Sequence, residues 1–235
     1  MELNLYSLAE GAGSARGVTV IIDVFRAFTC TPLLFSLGIK DSMLVSTAEE
    51  AFALKRENPE RILVGEIGGI PIEGFDVGNS PSQILRLGRE YFAGKSVVQR
   101  TSAGVQGALI ASENAEEVLL GSFTVAKPTT DYIRRKSPER VSLVAMGWQL
   151  KDIAPEDEWC ARYMAHLLGK GDYDHNQAMR EVIFHESAQK FLRGNKAYFP
   201  PEDPVLCLQR DLYDFALRAE KVGGNLVVST IENSG

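Results

Sequence analysis

Apolar residues recur along the chain in short runs, each followed by a stretch of helical character. Val18-Thr-Val-Ile-Ile-Asp-Val24 is continuous and rich in β-branched residues, the pattern of a central strand buried on both faces, and Asp23 interrupts it near its carboxyl end. Residues 27–37 predict a helix closed by Gly38, Met43 to Val45 a second strand, and Thr47 the cap of a helix with Glu49 and Glu50 in its first turn. Arg61 to Val64 reads as a third strand. Ser80 then caps a helix with Pro81 at its first position, and that helix fades around Gly88.

From Ser96 the order repeats: strand 96–100, helix 104–112, strand 117–120, helix 123–136 and strand 141–145, at an offset of about 80 residues that allows for two duplicated βα halves. Sequence identity between the halves is poor, so ordinary βα alternation stays open beside duplication. Either way the pattern predicts an α/β fold with a mostly parallel or mixed sheet covered on both faces. In such sheets ligands gather beyond the carboxyl ends of the strands, where Asp23, Glu66, Arg100 and Gly147 fall. Beyond Pro155 the pattern is mainly helical: one helix from Pro155, another over 175–190 capped by Asp174, a proline-rich loop at 196–204, and a last helix from Leu206 to Lys221 closed by Gly223-Gly224. Leu226 to Val228 reads as a final strand. No low-complexity linker divides the chain, so 1–235 reads as one domain.

The stretch Gly65 to Pro81 breaks this rhythm. Five glycines surround Glu66, Glu73 and Asp76, and Ile67, Ile70, Ile72, Phe75 and Val77 should pin the loop against a core. Carboxylates held near a core need a partner, and Mg²⁺, which suits oxygen ligands and bridges carboxylates to phosphate oxygens, is the expected one. The helix starting at Ser80 turns unpaired N–H groups toward whatever the loop holds.

Composition narrows the function classes. The 235 residues are 45% hydrophobic, enough for a full core, and 25 basic against 31 acidic residues give a net charge of −6 with no Lys/Arg block. A nucleic-acid partner is therefore not expected, nor a membrane one, since no apolar run reaches the length of a span; the amino terminus also lacks the marks of a signal peptide. Cys30, Cys160 and Cys207 show no Cys-x-x-Cys spacing and read as reduced thiols, which suits a cytoplasmic location.

Several near-motifs fail on context. Arg89 to Ser96 lacks the first glycine of a P-loop, Gly11 to Gly17 precedes its strand where a dinucleotide fingerprint follows one and reads as a loop, and Asp23-Val-Phe-Arg26 has no second acid two residues on. No cysteine is followed by an arginine at phosphatase spacing, and His166, His175 and His185 read as surface or packing residues. What remains is polar residues at strand ends: Asp23 and Arg26; Glu66, Glu73 and Asp76; Thr101-Ser102-Ala103-Gly104; and Glu156-Asp157. Acids would hold Mg²⁺, Arg26 would clamp an anion, and the hydroxyls and amides before helix 104–112 would receive phosphate oxygens. Structural duties compete: an Asp23–Arg26 contact, an N-cap at Thr101-Ser102, and first-turn acids at Glu156 and Asp157.

Asp23-Val-Phe-Arg-Ala27, Gly65-Glu66 with Gly68-Gly69, Glu73-Gly-Phe-Asp-Val-Gly-Asn-Ser-Pro81, Thr101-Ser-Ala-Gly104 and Glu156-Asp157 with Cys160-Ala161 resemble, in this order, the 2-phosphosulfolactate phosphatase family. The resemblance spans roughly Val18 to Ala165. It implies a three-layer α/β/α fold, Mg²⁺ dependence, and hydrolysis of (2R)-2-phospho-3-sulfolactate to 3-sulfolactate and phosphate, a reaction best known from coenzyme M biosynthesis. On this reading Asp23, Glu66, Glu73, Asp76, Glu156 and Asp157 supply the metal ligands; Asp23, Arg26, Glu66 and Asp76 carry catalysis; Arg26, Asn79, Ser80, Thr101, Ser102 and Gly104 bind a small anionic substrate. A homodimer is left open. The chain departs from the family pattern at Ile67, where arginine is usual, over Thr101-Ser102-Ala103-Gly104-Val105, where Thr-Thr-Asn-Gly-Thr is usual, and at Arg162, where glycine is usual. Those departures keep two other readings open, a phosphatase for a different small phospho-acid and a non-enzymatic binder of an anionic metabolite.

Overall fold

A computed structural model describes residues 1–232. In chain order the elements are β1 (Glu2–Ser7), α1 (Leu8–Ser14), β2 (Val18–Ile22), α2 (Ala27–Ser36), β3 (Asp41–Leu44), α3 (Ala48–Glu57), β4 (Ile62–Ile67), β5 (Ile70–Pro71), β6 (Val77–Gly78), α4 (Pro81–Phe92), β7 (Ser96–Arg100), α5 (Gly104–Ala111), β8 (Glu117–Gly121), α6 (Ala126–Lys136), β9 (Arg140–Ala145), α7 (Pro155–Leu167), α8 (His175–Phe184), α9 (Glu186–Leu192), α10 (Glu202–Cys207), β10 (Phe215–Val222) and β11 (Asn225–Glu232).

All eleven strands belong to one mixed sheet, ordered β1-β9-β2-β8-β10-β11-β3-β7-β4-β5 with β6 beside β4. Strands β1, β9, β2 and β8 are mutually parallel, as are β3, β7 and β4. The carboxyl-terminal hairpin joins the two groups through three antiparallel pairings, β8 with β10, β10 with β11 and β11 with β3. Three reversals make the two parallel groups run in opposite directions.

The repeat seen in the sequence has a topological counterpart. β2-α2-β3-α3-β4 and β7-α5-β8-α6-β9 are equivalent in order, and each unit's first strand lies between the second and third strands of the other: β2 between β8 and β9, β7 between β3 and β4. Each unit's first helix does not follow its strand but lies over the group that holds its own unit's later strands. Cys30, Leu33 and Leu34 of α2 pack with Ile62, Val64 and Val97 of the β4-β7 group, while Val105, Ala108 and Ala111 of α5 pack with Ile21, Val118 and Leu120. The exchange brings the first turns of α2 and α5 together.

Helices cover both faces of the sheet, because alternate residues of each central strand are apolar in both directions. On β2, Val18, Val20 and Ile22 face α6, α7 and α8, whereas Ile21 faces α1 and α5. On β4 and β7, Leu63 and Val98 lie in a separate cluster with Ala51 of α3.

Three segments differ from the sequence expectation. The helix expected from Leu206 to Lys221 is only the short α10, followed by strand β10. Gly223 and Gly224, read as a helix stop, are the two-residue turn of the β10-β11 hairpin; both have positive φ, 58° and 86°, as the favoured primed turn requires. Gly11 to Gly17, read as a loop, mostly belongs to α1, where Gly11 lies flush against Tyr6. The single helix expected over 175–190 breaks at His185, whose extended backbone ends α8 and whose ring accepts the Ser187 N–H at the start of α9.

Since the hairpin makes every strand pairing between the two groups among the described residues, its core residues should matter to global stability. Leu217 is fully buried opposite Leu120. Leu217→Ala should lower the unfolding free energy by about 2–5 kcal/mol, read as a lower midpoint in urea denaturation; an unchanged midpoint would show that the seam contributes little.

Candidate functional site

The carboxyl ends of β2, β4, β7 and β9 converge where the two crossover helices begin. Asp23 follows β2, and its carboxylate accepts the N–H of Ala27 at 3.2 Å and of Gly104 at 2.7 Å, so it receives the first turns of both α2 and α5. These are the donors a helix start leaves unpaired, which explains how a carboxylate can be buried there. Gly104 has to be glycine: a Cβ would stand 2.7 Å from Asp23 Oδ2 and 2.9 Å from its Cβ.

Glu66, at the end of β4, is held in the same manner. It accepts the Ser102 N–H at 2.6 Å and hydroxyl at 3.1 Å, together with the Gly69 N–H. Ser102 Oγ in turn accepts Gly68 N–H at 2.8 Å, and Arg100 donates to the Glu66 carbonyl at 2.8 Å. The glycine-rich loop therefore turns back on its own acid.

Behind Asp23, Asp157 at the start of α7 accepts Val24 N–H at 2.7 Å and Gly147 N–H at 2.8 Å, tying β2 to the loop after β9. Its neighbour Glu156 accepts the Ser187 hydroxyl at 2.6 Å. Burial raises the proton affinity of all three acids. Asp23 is pushed up to about 7, mainly by desolvation, against the opposing amide bonds and with help from the charges of Glu66 and Glu156. Glu156 is raised by burial, and Asp157 well above the usual range by burial and by the charges of Asp23 and Glu156.

Arg26 is almost wholly buried. It donates to Asp203 Oδ2 at 3.0 Å, to the Tyr198 carbonyl at 3.0 Å and to the Gly69 carbonyl at 3.2 Å, and its guanidinium lies over Phe191 and Phe199. Asp203 is fully buried and also accepts the Ser80 hydroxyl at 2.9 Å and Ser82 N–H at 3.1 Å. Together these groups enclose a cavity of about 20 Å³, whose walls include Asp23, Arg26, Glu66, Gly69, Asn79, Ser102, Ala103, Gly147, Trp148, Gln149, Phe191 and Phe199. That volume suits about one water molecule. Asn79, 4% exposed, presents a buried Oδ1 with no partner, an orphan that a ligand in this cavity would satisfy.

Of the residues expected from the sequence, Asp23, Arg26, Glu66, Asn79 and Ser102 meet at the cavity. Others lie elsewhere. Asp76 accepts from Lys55 and from Leu63 N–H, which pins the loop to the outer side of β4, and Glu73 is exposed. Neither lines the cavity, because the turn at residues 70–76 carries them past the strand end. Ser80 caps α4 and bonds Asp203, Thr101 Oγ1 accepts Val105 N–H at 3.1 Å, and the Gly104 amide is committed to Asp23. The Asp23–Arg26 contact allowed by the sequence is replaced by amide donors for the acid and Asp203 for the base. Ile67 is 52% exposed and outside the cavity walls, whereas Ala103 is part of them.

Sequence reading passed over Trp148, Lys190, Phe191, Phe199 and Asp203. Trp148 comes from the loop after β9, Lys190 and Phe191 from α9, Phe199 from the loop after it and Asp203 from α10, none in a local motif. The one available signal was Gly147-Trp148 at the end of a predicted strand. Lys190 sits with its ammonium 3.4 Å from the centre of the Trp148 ring, and burial pushes its amine down to about 8.

Among the described residues no three His, Cys, Asp or Glu side chains form a metal cage. The two acids that face the cavity, Asp23 and Glu66, fit another kind of site, one where Mg²⁺ keeps several waters and takes its remaining ligands from phosphate. A cation there would also relieve the mutual repulsion of the buried carboxylates.

A family model described as 2-phosphosulpholactate phosphatase matches residues 5–220. A protein of Bacillus subtilis (strain 168) named probable 2-phosphosulfolactate phosphatase is 33% identical over 99% of this chain and 98% of its own length. Proteins of the same name from Thermus thermophilus and Caldicellulosiruptor saccharolyticus are 31% and 38% identical, covering 86% and 63% of this chain and 78% and 61% of their own.

The raised proton affinity of Asp23 has a consequence for stability. Its folded pKa of about 7 exceeds the ordinary 3.8, so between these values the folded chain holds more protons than the unfolded one, and the stabilisation is lost as pH rises through that window. Asp23→Asn removes the effect. The unfolding free energy of Asp23→Asn minus that of the wild type should therefore increase from pH 4 to pH 7 in urea titrations without divalent cations; a flat difference would mean that Asp23 titrates normally.

Proposed function

This chain belongs to the 2-phosphosulfolactate phosphatase family, and we propose that it hydrolyses (2R)-2-phospho-3-sulfolactate to 3-sulfolactate and phosphate with Mg²⁺ at the Asp23–Glu66 cavity. The observation that carries this reading is the meeting, at one cavity, of two amide-anchored carboxylates with Asn79, whose Oδ1 has no partner. A buried amide oxygen left without a partner beside those carboxylates calls for an explanation that a purely structural cluster does not supply.

Each residue has a definable part. Glu66, with Asp23 beside it, would hold the ion, which supplies charge neutralisation at the phosphate oxygens. Asp23 orients the attacking water and takes its proton, a task suited to a carboxyl whose proton affinity burial has moved close to neutral pH. Water oxygen bonds to phosphorus as the bond to the lactate oxygen breaks, and the proton Asp23 took from the water passes to that leaving oxygen. The unpartnered Oδ1 of Asn79, an acceptor, would take the ion or one of its waters, and the Ser102 hydroxyl, which donates to Glu66 here, would turn to a phosphate oxygen. Arg26, fixed by Asp203, keeps positive charge on the cavity wall.

The cavity in this state is too small for the substrate, so binding requires its aromatic walls to part. No described helix is long and apolar enough to cross a membrane, and the three buried free cysteines fit a reducing compartment, so the proposed setting is the cytoplasm.

Phosphate release from 2-phospho-3-sulfolactate and from other small phospho-acids, with Mg²⁺ and with EDTA, tests the reading. The expected result is turnover that requires Mg²⁺ and prefers the sulfolactate ester. Asp23→Asn should lower kcat roughly 100- to 10,000-fold while circular dichroism stays unchanged. Retained turnover would remove Asp23 from the chemistry. Preference for a different ester would favour a phosphatase for another acid, and ligand binding without turnover on any compound would favour a non-enzymatic binder.

A further inference from the structure

A second cavity, about 270 Å³, lies against the first. Trp148 is their common wall, and Lys190, His185, Ser187 and Ile153 are among the residues on the far side. The ammonium of Lys190 makes no hydrogen bond or ion pair among the described residues. It rests on the Trp148 ring at 3.4 Å and stands 5.3 Å from the ring centres of both Phe191 and Phe199, which line the first cavity. The other cations here are committed: Arg26 to Asp203 and two carbonyls, Arg100 to the carbonyls of Ser46 and Glu66. Of the two acids at the rim of the second cavity, Glu186 is engaged by both terminal nitrogens of Arg193 and Asp152 is exposed.

The half-buried ammonium feels the charges of Glu156, Asp23 and Glu66 but contacts none of them, and the aromatic faces it rests on return less than an anion in contact would. The two cavities together offer a carboxylate-lined end for phosphate with its metal and, one indole away, an ammonium with no anion in contact. We propose that Lys190 is a specificity-determining residue that receives the second anionic group of the substrate, so that the site selects phosphomonoesters carrying a further carboxylate or sulfonate over esters whose remainder is neutral. The inference rests on the phosphatase reading. Trp148 is the wall that would have to move for one ligand to reach both cavities, and the loop carrying it is unusual: Gln149 and Leu150 both have positive φ, 51° and 64°, a conformation that side chains other than glycine adopt at a cost.

Steady-state phosphate release should be compared for wild type, Lys190→Met and Lys190→Arg on 2-phospho-3-sulfolactate and on glycerol 2-phosphate. Met keeps the apolar stem against the rings and removes only the charge. Lys190→Met is expected to raise KM for the sulfolactate ester roughly 10- to 100-fold with kcat little changed and glycerol 2-phosphate turnover unaffected, and Lys190→Arg should recover most of the loss. Equal losses on both esters, or no loss, would overturn the assignment. A second measurement does not depend on turnover or on the Lys190 variants: titrating wild type with 3-sulfolactate should change tryptophan emission as the ammonium leaves the indole face, a change absent from Trp148→Phe. No emission change would count against Lys190 alone, whereas absence of phosphate release from any ester would defeat the phosphatase reading and leave the titration to decide the subsite.

Discussion

The carboxylate of Asp23 is the point through which the two halves of the molecule are joined at the site. It accepts one N–H from the start of α2 and one from the start of α5, helices that belong to different repeats and cover different strand groups. Two helix N-termini directed at one carboxylate place partial positive charge on either side of a buried negative one. Gly104 lets the backbones close to that distance. The exchange of first strands between the repeats makes this meeting possible, because it brings β2 and β7 to a common junction from opposite directions.

The electrostatics around this junction are unbalanced in a way that suits a ligand. Asp23, Glu156 and Asp157 are all held above their ordinary proton affinities by burial, with the charges of neighbouring acids adding to the effect on Asp23 and Asp157, while Arg26 has its own buried counterion in Asp203. Removing several charges from water without full compensation is costly, and proteins keep such arrangements mainly where they act. Asp203 has a second consequence. It fastens the carboxyl-terminal segment to Arg26, Ser80 and Ser82, so the stretch bearing Phe191 and Phe199 lies over the cavity. Cover and site are thus held by one buried ion pair.

The fold was legible where periodicity is local and strong. The runs at 18–24, 61–64, 96–100, 117–120 and 141–145 are strands, and Thr47 and Ser80 cap helices as their sequence context predicts. The segment 206–221 was not legible, since Gly223-Gly224 can end a helix or turn a hairpin, and only pairing with β8 and β3 selects the hairpin. In the site, Asp23 and Glu66 stood out as acids at strand ends. Glu73 and Asp76 looked equivalent in the same loop, yet a few residues of turn carry them to the outer side, because spacing along an irregular glycine-rich loop does not fix direction.

Sequence alone thus determined the alternation of strands and helices, the acids at strand ends and the loop that holds one of them, all of which depend on near neighbours and on hydrophobic period. Tertiary structure alone decided which acids share a cavity, that Arg26 answers to Asp203 rather than to Asp23, and that Lys190 stands against Trp148. Those contacts join residues far apart in the chain, and their energies depend on burial and on the crossing of the two repeats, quantities that no local pattern of residue types encodes.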